Sequence, residues 1–155
     1  MRTIAMTAVV TMTILSAGTR ASAQSAQCAV TEIVATNDKQ GFDPRLERLR
    51  GKLSKPPFSA WDTFRLMGDS AAPAEKSRPT AVKLASGGTM TLVFKDKLVT
   101  QGGKPRLRFG IDKDSKEGKR TLSTVVVFDS GDAILFSGEP YGNGTYILAL
   151  SCTSP

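Results

Sequence analysis

Carboxylates are the side chains of this sequence best suited to catalysis, because the chain contains no histidine. Without histidine there is no Ser-His-Asp triad, no Cys-His pair and no His-based metal site. Two aspartates in one cleft could still act as general acid and general base in a hydrolase. The candidates for that chemistry are Asp62, Asp96, Asp112 and Asp114. No motif in the sequence brings any two of them together, so a non-enzymatic protein is the favoured interpretation.

Basic residues form the second candidate site, because they recur on one face of two predicted strands and on one side of a predicted helix. A two-residue turn at Gly102-Gly103 would place Lys97 opposite Arg108. The same register would place Phe94 opposite Ile111 in the core. Like charges directly opposite each other destabilise a sheet by a few tenths of a kcal/mol up to about 1, and an anionic partner would relieve that cost. The predicted binding residues are Lys95, Lys97, Arg106 and Arg108 on the strands and Arg45, Arg48 and Lys52 on the helix.

One alternative stands beside this anion-binding interpretation, and one class of anionic partner is disfavoured. The basic residues could simply be a solvated edge whose charges deter aggregation. Aromatic residues that could stack on bases are not interleaved with the charges, which argues against nucleic acid as the partner. The partner classes that remain are an envelope protein, an anionic surface and an anionic polymer.

Two segments resemble metal- or phosphate-binding motifs, but both lack residues that those motifs require. The acidic turn 112–118 looks like a calcium loop, but the EF-hand needs an oxygen ligand and a glycine where this chain has Lys116 and Glu117. The glycine-rich stretch 138–144 lacks the lysine and the following helix of a phosphate-binding loop. Its Asn143-Gly144 pair instead predicts a hairpin turn. The sequence therefore predicts no metal and no cofactor.

The first 23 residues have the pattern of an export signal. Arg2 precedes the apolar segment 4–15, and Ala21-Ser22-Ala23 fits the small-x-small motif that signal peptidase cleaves. The apolar segment is shorter than the roughly 20 residues that a membrane helix needs. We therefore expect 1–23 to be a signal peptide, and the mature chain 24–155 to be periplasmic or extracellular without a transmembrane segment.

The mature chain is expected to be one moderately basic domain closed by a disulfide. The whole chain has 21 basic and 14 acidic residues, and removing Arg2 and Arg20 leaves a net charge of +5. Its length is that of one ordinary domain. Cys28 and Cys152 are the two cysteines, and two lone cysteines in an oxidising compartment most simply pair. The bond would join the first strand to the last.

Short apolar runs separated by turn residues predict an antiparallel β fold. The runs 122–128, 133–136 and 146–150 are the most apolar, and the first is apolar on both faces. A strand of that kind needs cover on both sides, so these runs are expected at the centre of the core. Further strands are predicted at 29–36, 58–67, 80–84, 89–98 and 105–111, with a surface loop at 68–79.

One short helix is predicted at about 43–51. Asp43 suits the N-cap, Pro44 the first helical position and Gly51 the C-terminal stop. Leucines at helical spacing would dock this helix on the sheet. They are Leu46, Leu49 and Leu53. The predicted fold class is therefore mainly β, an antiparallel β-sandwich-like fold or open barrel with one short α-helix.

Three segments resemble an uncharacterised family of small exported β-rich proteins of Gram-negative bacteria. They are Asp43-Pro44-Arg45-Leu46, Pro56-Pro57-Phe58 and the final Gly144-Thr145-Tyr146-Ile147-Leu148-Ala149. The resemblance spans most of the mature chain. It implies an envelope or extracellular location, and it assigns no activity and no catalytic residue.

The function expected from the sequence is that of a non-enzymatic exported binding or accessory protein of the cell envelope. Its contacts would lie on the basic residues or on exposed sheet edges, where a partner could add a strand. Direct binding of an anionic polymer or lipid is the alternative. A carboxylate-based hydrolase is the third hypothesis, and it requires the candidate aspartates to converge in a cleft.

Overall fold

Two four-stranded antiparallel sheets make up most of the protein in the computed structural model, which describes residues 24–99 and 101–155. The mainly β, sandwich-like fold class is confirmed, and the sheets do not close into a barrel. The predicted signal peptide lies outside the described residues. The strands are β1 (Ser25–Thr36), β2 (Thr63–Glu75), β3 (Pro79–Lys83), β4 (Thr89–Leu98), β5 (Arg106–Asp114), β6 (Arg120–Asp129), β7 (Ala133–Tyr141) and β8 (Gly144–Thr153).

The strand order places β1 and β8, the first and last strands of the described residues, at the centre of one sheet. The first sheet has the order β2-β1-β8-β7, and the second has the order β3-β4-β5-β6. Of the three C-terminal runs, only β8 lies centrally, so the prediction that 122–128 forms the centre of the core was wrong. That run is β6, an edge strand, because the chain crosses to the other sheet after β6 and leaves its outer side without a neighbour.

The core has two layers because β1 and β8 are covered on both faces. Side chains such as Val30 and Leu148 point toward the second sheet, where they meet Phe94 and Phe109. Alternate residues such as Ile147 point the other way, as expected for a strand. That outer face is covered by a helical segment made of a 3₁₀ turn and the helix α1. Its buried side chains are Leu46, Leu49 and Leu53.

The helical segment differs in detail from the predicted helix. The chain forms a 3₁₀ turn at Pro44–Leu49 and then α1 at Arg50–Leu53, with a second 3₁₀ turn at Phe58–Ala60. Asp43 caps the first turn as predicted, accepting a hydrogen bond from the backbone N–H of Arg45. Gly51 does not end the helix, which continues to Leu53 because the buried leucine docks on the sheet.

Strand β2 includes most of the segment 68–79, whose small, charged and proline-containing composition had indicated a surface loop. The predicted strand 58–67 begins only at Thr63, and the predicted surface loop 68–79 is largely strand, since β2 continues to Glu75. Ala72 and Ala74 are buried in the inner core and lie opposite Cys28 and Ala26 of β1. Small residues fit here because pairing with β1 holds the strand close to the second sheet.

The β7–β8 turn is also shifted by one residue from the prediction. The two-residue turn is Gly142-Asn143, with Gly142 at a φ of +57° and Tyr141 paired with Gly144. Gly144 is instead the first residue of β8. A Cβ at that position would collide with the carbonyl oxygen of Ala35, so the glycine permits close approach of β1.

A disulfide joins Cys28 to Cys152, which confirms the predicted bond. The two residues lie directly opposite each other on β1 and β8, with their Cα atoms 4.1 Å apart. Both are buried. A buried disulfide is typical of proteins that fold in an oxidising compartment. No helix among residues 24–99 and 101–155 has the length and apolar character needed to cross a membrane.

Candidate functional site

The basic strand residues lie in a different register from the predicted one. Lys97 pairs with Leu107 and Asp96 with Arg108, one residue away from the predicted register, and a bulge at Lys95 shifts the register again, so that Phe94 lies opposite Phe109. Arg108 forms an ion pair with Asp96, with a nitrogen–oxygen distance of 3.3 Å. The predicted pairing of Lys97 with Arg108 was therefore wrong, and the repulsion from which an anionic partner was inferred is relieved within the chain.

Most of the other predicted binding residues also have partners within the protein. Their role in binding stays a prediction, but the structure shows where their charge is directed. Arg106 pairs with Asp129 at 3.4 Å, and Lys97 donates to the carbonyl oxygen of Pro155. Exposed Lys95 lies beside Gly110. On the helical segment the pairs are Arg45 with Asp43, Arg48 with Asp69, and Lys52 with Asp132.

Two members of the basic sets meet in one shallow groove. Lys52 of α1 and Arg106 of β5 line a groove of about 530 Å³ beside the turn between β6 and β7. Their acidic partners Asp129 and Asp132 line the same groove. Lys55 lines the groove as well, so it carries three cations and two carboxylates, and a net charge of +1 gives it only a weak preference for an anion.

The four candidate aspartates do not form the acid–base site that a hydrolase would need. Asp62 accepts hydrogen bonds before β2, whereas Asp96 pairs within the second sheet. Asp112 and Asp114 are brought together, but both bind Arg120, at 3.0 and 2.7 Å. Among the described residues, no group of three or more Cys, Asp or Glu side chains is placed to hold a metal ion.

Asp43 is the carboxylate whose protonation is most strongly affected by the fold. The Arg45 side chain, the backbone N–H of Arg45 and the backbone N–H of Leu66 all donate to it. The hydrogen bond from the Arg45 guanidinium is the largest cause, and together these donors hold the pKa of the Asp43 carboxyl far below its usual range. Because the folded pKa is lowered, ionised Asp43 stabilises the folded state above its unfolded pKa of about 3.9.

We expect Asp43→Asn to reveal this contribution through its dependence on pH. The difference in free energy of unfolding between wild type and variant should be constant above about pH 5. It should shrink as the pH falls below about 4 toward the folded pKa, because the wild type then loses the stabilisation that the variant never had. Urea unfolding at a series of pH values measures it. A difference that stays constant down to pH 2 would contradict the assignment.

A buried lysine of β5 lies between β6, an edge strand of the second sheet, and β7, an edge strand of the first. Lys113 continues the inward series of β5 after Leu107, Phe109 and Ile111, and its side chain is 7% exposed. Its ammonium lies 2.5 Å from the Glu139 carboxylate on β7. The same ammonium lies over the ring of a β8 tyrosine, Tyr146, 5.1 Å from its centroid.

β-Bulges interrupt the edge strands β6 and β7 beside Lys113. In β6, Thr121 is the extra residue between the Lys113–Leu122 and Asp114–Arg120 pairs, and its hydroxyl lies 3.5 Å from the ammonium. In β7, Gly138 at a φ of +123° is the extra residue before Glu139. Bulges often occur beside functional sites because they redirect a side chain. Here they direct polar groups from opposite sheets toward one point.

These residues line a cavity of about 240 Å³, which we name the Lys113 cleft. Its polar end holds Lys113 and Glu139, and its apolar walls are formed by Leu122, Phe136, Leu148 and the ring of Tyr146. A second cavity of about 310 Å³ adjoins it and shares Lys113, Glu139 and Tyr146. The ion pair therefore stands between two spaces that open toward solvent.

A buried carboxylate holds the floor of the cleft in place. Glu32 of β1 is 2% exposed, and it accepts a hydrogen bond of 2.8 Å from the Tyr146 hydroxyl. It also accepts from the backbone N–H groups of Ala85 and Ser86, at 2.6 and 3.0 Å. Three donors satisfy the charge that burial would otherwise make costly. The contacts tie the first sheet to the turn between β3 and β4.

Burial and neighbouring groups shift the pKa values of two residues of the cleft, Glu139 and Tyr146. Burial alone would raise the pKa of the Glu139 carboxyl, but hydrogen bonds from Lys113 and Thr121 and the charge of Lys113 outweigh it and lower that pKa. Burial raises the pKa of Tyr146 far above its usual value. Glu139 is therefore an anion, and Tyr146 is a neutral hydrogen-bond donor committed to Glu32.

Sequence reasoning missed the Lys113 cleft, although part of its signal was present. Lys113 and Glu32 each fall on the inward face of a strand, two residues after a buried aliphatic, Ile111 and Val30 respectively. A charged residue in that position is worth singling out. No local pattern indicated that Glu139 would meet Lys113, because the contact joins strands of different sheets.

Comparisons with protein-family models, with curated proteins and with solved structures found no match to this chain.

Proposed function

We propose that this chain is an exported, non-enzymatic binding protein that takes a small ligand into the Lys113 cleft. The observation that carries the proposal is the Lys113 ammonium, buried at the polar end of an apolar-walled cavity. Burying an ion costs several kcal/mol of desolvation, and a packed apolar side chain often serves stability as well or better. A few polar groups in an apolar cavity are typical of ligand sites.

The dimensions of the cleft support a small ligand. A cavity of about 150 Å³ is large enough to hold benzene. The Lys113 cleft, at about 240 Å³, has room for one ring with a polar substituent. Its walls include the rings of Phe136 and Tyr146, which favour an aromatic or short aliphatic ligand body.

Export is supported by three features that are independent of the cleft. The sequence begins with the pattern of a signal peptide, and Cys28 and Cys152 form a disulfide. Disulfides form and persist in oxidising compartments, such as the periplasm and the extracellular space. The resemblance to small exported proteins of Gram-negative bacteria points to the same location.

Fragment binding tests the proposed site. Benzamide and benzoate at millimolar concentration should shift the backbone NMR signals of cleft residues such as Leu122 and Glu139. Leu122→Trp should abolish these shifts by filling the cavity. Val125→Trp is the matched control, because Val125 lies on the same strand but is 58% exposed on its outer face. If neither fragment shifts cleft signals in the wild type, the proposed function is wrong.

Strand addition to the edge of β6 is the second candidate function. The run from Leu122 to Phe128 has no charge, proline or glycine, and Val125 is exposed at its centre. The β7 edge differs, since it carries Pro140 and the bulge at Gly138. An unprotected apolar edge can pair with a strand of an envelope partner. Val125→Lys should block such pairing and leave fragment binding unchanged.

Direct binding of an anionic polymer or lipid has less support. It would need basic side chains free to contact the polymer. Five of the seven predicted binding residues are held by aspartates, and exposed ion pairs of this kind are neutral overall; they are Arg45, Arg48, Lys52, Arg106 and Arg108. The small-ligand proposal is therefore the better supported of the two.

A further inference from the structure

We propose that the ligand of the Lys113 cleft is a small organic carboxylate, whose charged group replaces Glu139 on the Lys113 ammonium. This inference rests on the proposed function, since it names the class of ligand for the same site. It follows from a difference in burial between the partners of the ion pair. The Lys113 side chain is 7% exposed, whereas that of Glu139 is 42% exposed.

The difference in burial indicates which member of the ion pair a ligand can displace. The ammonium comes from a central strand of the second sheet, where β4 and β6 flank β5 on both sides. Glu139 comes from the edge strand β7 and follows the bulge at Gly138. Beyond the bulge, only the short hairpin from Glu139 to Tyr146 remains. The half-exposed Glu139 side chain can turn toward solvent with its backbone in place, whereas the Lys113 side chain is enclosed, so Glu139 is the displaceable partner and Lys113 the fixed one.

The hydrogen bonds of Lys113 favour an incoming oxygen. An ammonium has three N–H donors. Within the described residues, Lys113 has one short hydrogen bond to Glu139 and one long contact of 3.5 Å to Thr121. A ligand carboxylate can accept from the donor that Glu139 leaves and from the one that is weakly used. Charge-assisted bonds of this kind are about twice as strong as neutral ones.

The surrounding charges disfavour a neutral or cationic ligand. A cation inside the cleft would be repelled by the Lys113 ammonium, which lies 2.5 Å from the Glu139 carboxylate. A neutral ligand would leave the ion pair intact and gain only the apolar contacts. Of the other charged groups near the cleft, Asp112 and Asp114 bind Arg120, and Glu117 lies beside Lys116. The Glu32 carboxylate is satisfied by Tyr146 and two backbone N–H groups.

The walls of the cleft define the rest of the ligand. Leu122, Phe136 and Leu148 offer apolar contact beyond the ammonium, and the ring of Tyr146 forms the floor. A carboxylate joined directly to a ring or to a short aliphatic chain matches this arrangement. Benzoate and benzamide are a suitable pair of probes, since they differ in charge but scarcely in shape.

The test compares the affinities of benzoate and benzamide, measured by NMR titration, for the wild type and for variants of the ion pair. The wild type should bind benzoate about tenfold more tightly than benzamide. Glu139→Gln should tighten benzoate binding about tenfold, because the internal competitor for Lys113 is gone, and should change benzamide binding less than about twofold. Lys113→Met should remove the preference for benzoate. Glu117→Gln, on the rim of the adjoining cavity, is the matched control and should change neither affinity.

A measurement on the wild type keeps the test independent of whether the variants fold. Benzoate should move the carboxyl carbon signal of Glu139 toward that of a solvated glutamate, and benzamide should leave it in place. Equal binding of the two probes would overturn the carboxylate inference and leave the proposed function standing. Weaker benzoate binding by folded Glu139→Gln would also overturn it. Absence of binding by both probes would overturn the proposed function itself.

Discussion

Glu32→Gln is expected to lower the free energy of unfolding by about 3 kcal/mol, although the two side chains have nearly the same shape. Glu32 accepts three hydrogen bonds, from Ala85, Ser86 and Tyr146, while almost fully buried. Glutamine has one acceptor oxygen, and in either orientation its amide nitrogen would face a backbone N–H, that of Ala85 or that of Ser86, which can only donate. A buried donor left without an acceptor costs about 1 to 3 kcal/mol, and hydrogen bonds to a charged group are the stronger ones.

Denaturant unfolding of matched variants measures this effect. Glu75→Gln is the control, because Glu75 is an exposed residue of β2 whose ion pair with Arg78 should be worth less than about 1 kcal/mol. Tyr146→Phe removes one of the three donors and should cost about 1 kcal/mol. If Glu32→Gln and Glu75→Gln have the same effect, the Glu32 contacts do not anchor the turn between β3 and β4.

Removal of the Cys28–Cys152 bond should have the largest effect, a loss of about 4 to 5 kcal/mol in the free energy of unfolding. The two cysteines are 124 residues apart in sequence. A bond that closes so long a loop restricts the unfolded chain strongly, and the chain-entropy model gives this magnitude. The folded state should change little, because β1 and β8 are already hydrogen-bonded neighbours. Such a loss is a large part of the 5 to 15 kcal/mol typical of a domain.

Two ways of breaking the bond should agree. The double variant Cys28→Ala and Cys152→Ala, and the wild type in excess reductant, should both unfold at lower denaturant concentration. A residual difference between them measures the cavity left by the missing sulfur atoms, since both cysteines are buried. A loss below about 1 kcal/mol in both cases would show that the unfolded chain is already compact without the bond.

Local sequence patterns were sufficient for features that depend on neighbours in the chain. The strand predicted at 105–111 corresponds to β5, and Asp43-Pro44 correctly marked the start of the helical segment. The pairing of Cys28 with Cys152 followed from their number and from the predicted export to an oxidising compartment. The ends of elements were less predictable, as at β2, because pairing with β1 overrides the composition of the segment 68–75.

Register was decided by the tertiary structure. Leu98 pairs with Arg106 at the end of β4, which places Asp96, and not Lys97, opposite Arg108, and the bulge at Lys95 then shifts the pairs beyond it by one more residue. One inserted residue changes every pair beyond it, since side chains alternate with a period of two. A prediction that assumed regular pairing could therefore not place the charged residues of that face opposite their true partners.

The sequence by itself determined a mainly β domain with one disulfide, because alternation, turn residues and cysteine number are local or countable properties. Only the tertiary structure decided that β6 and β7 are edges and that Lys113 meets Glu139 between them. These two residues are 26 positions apart and belong to different sheets. The physical reason is that sheet order depends on which strands pair across long stretches of chain, and the candidate site lies where that pairing stops.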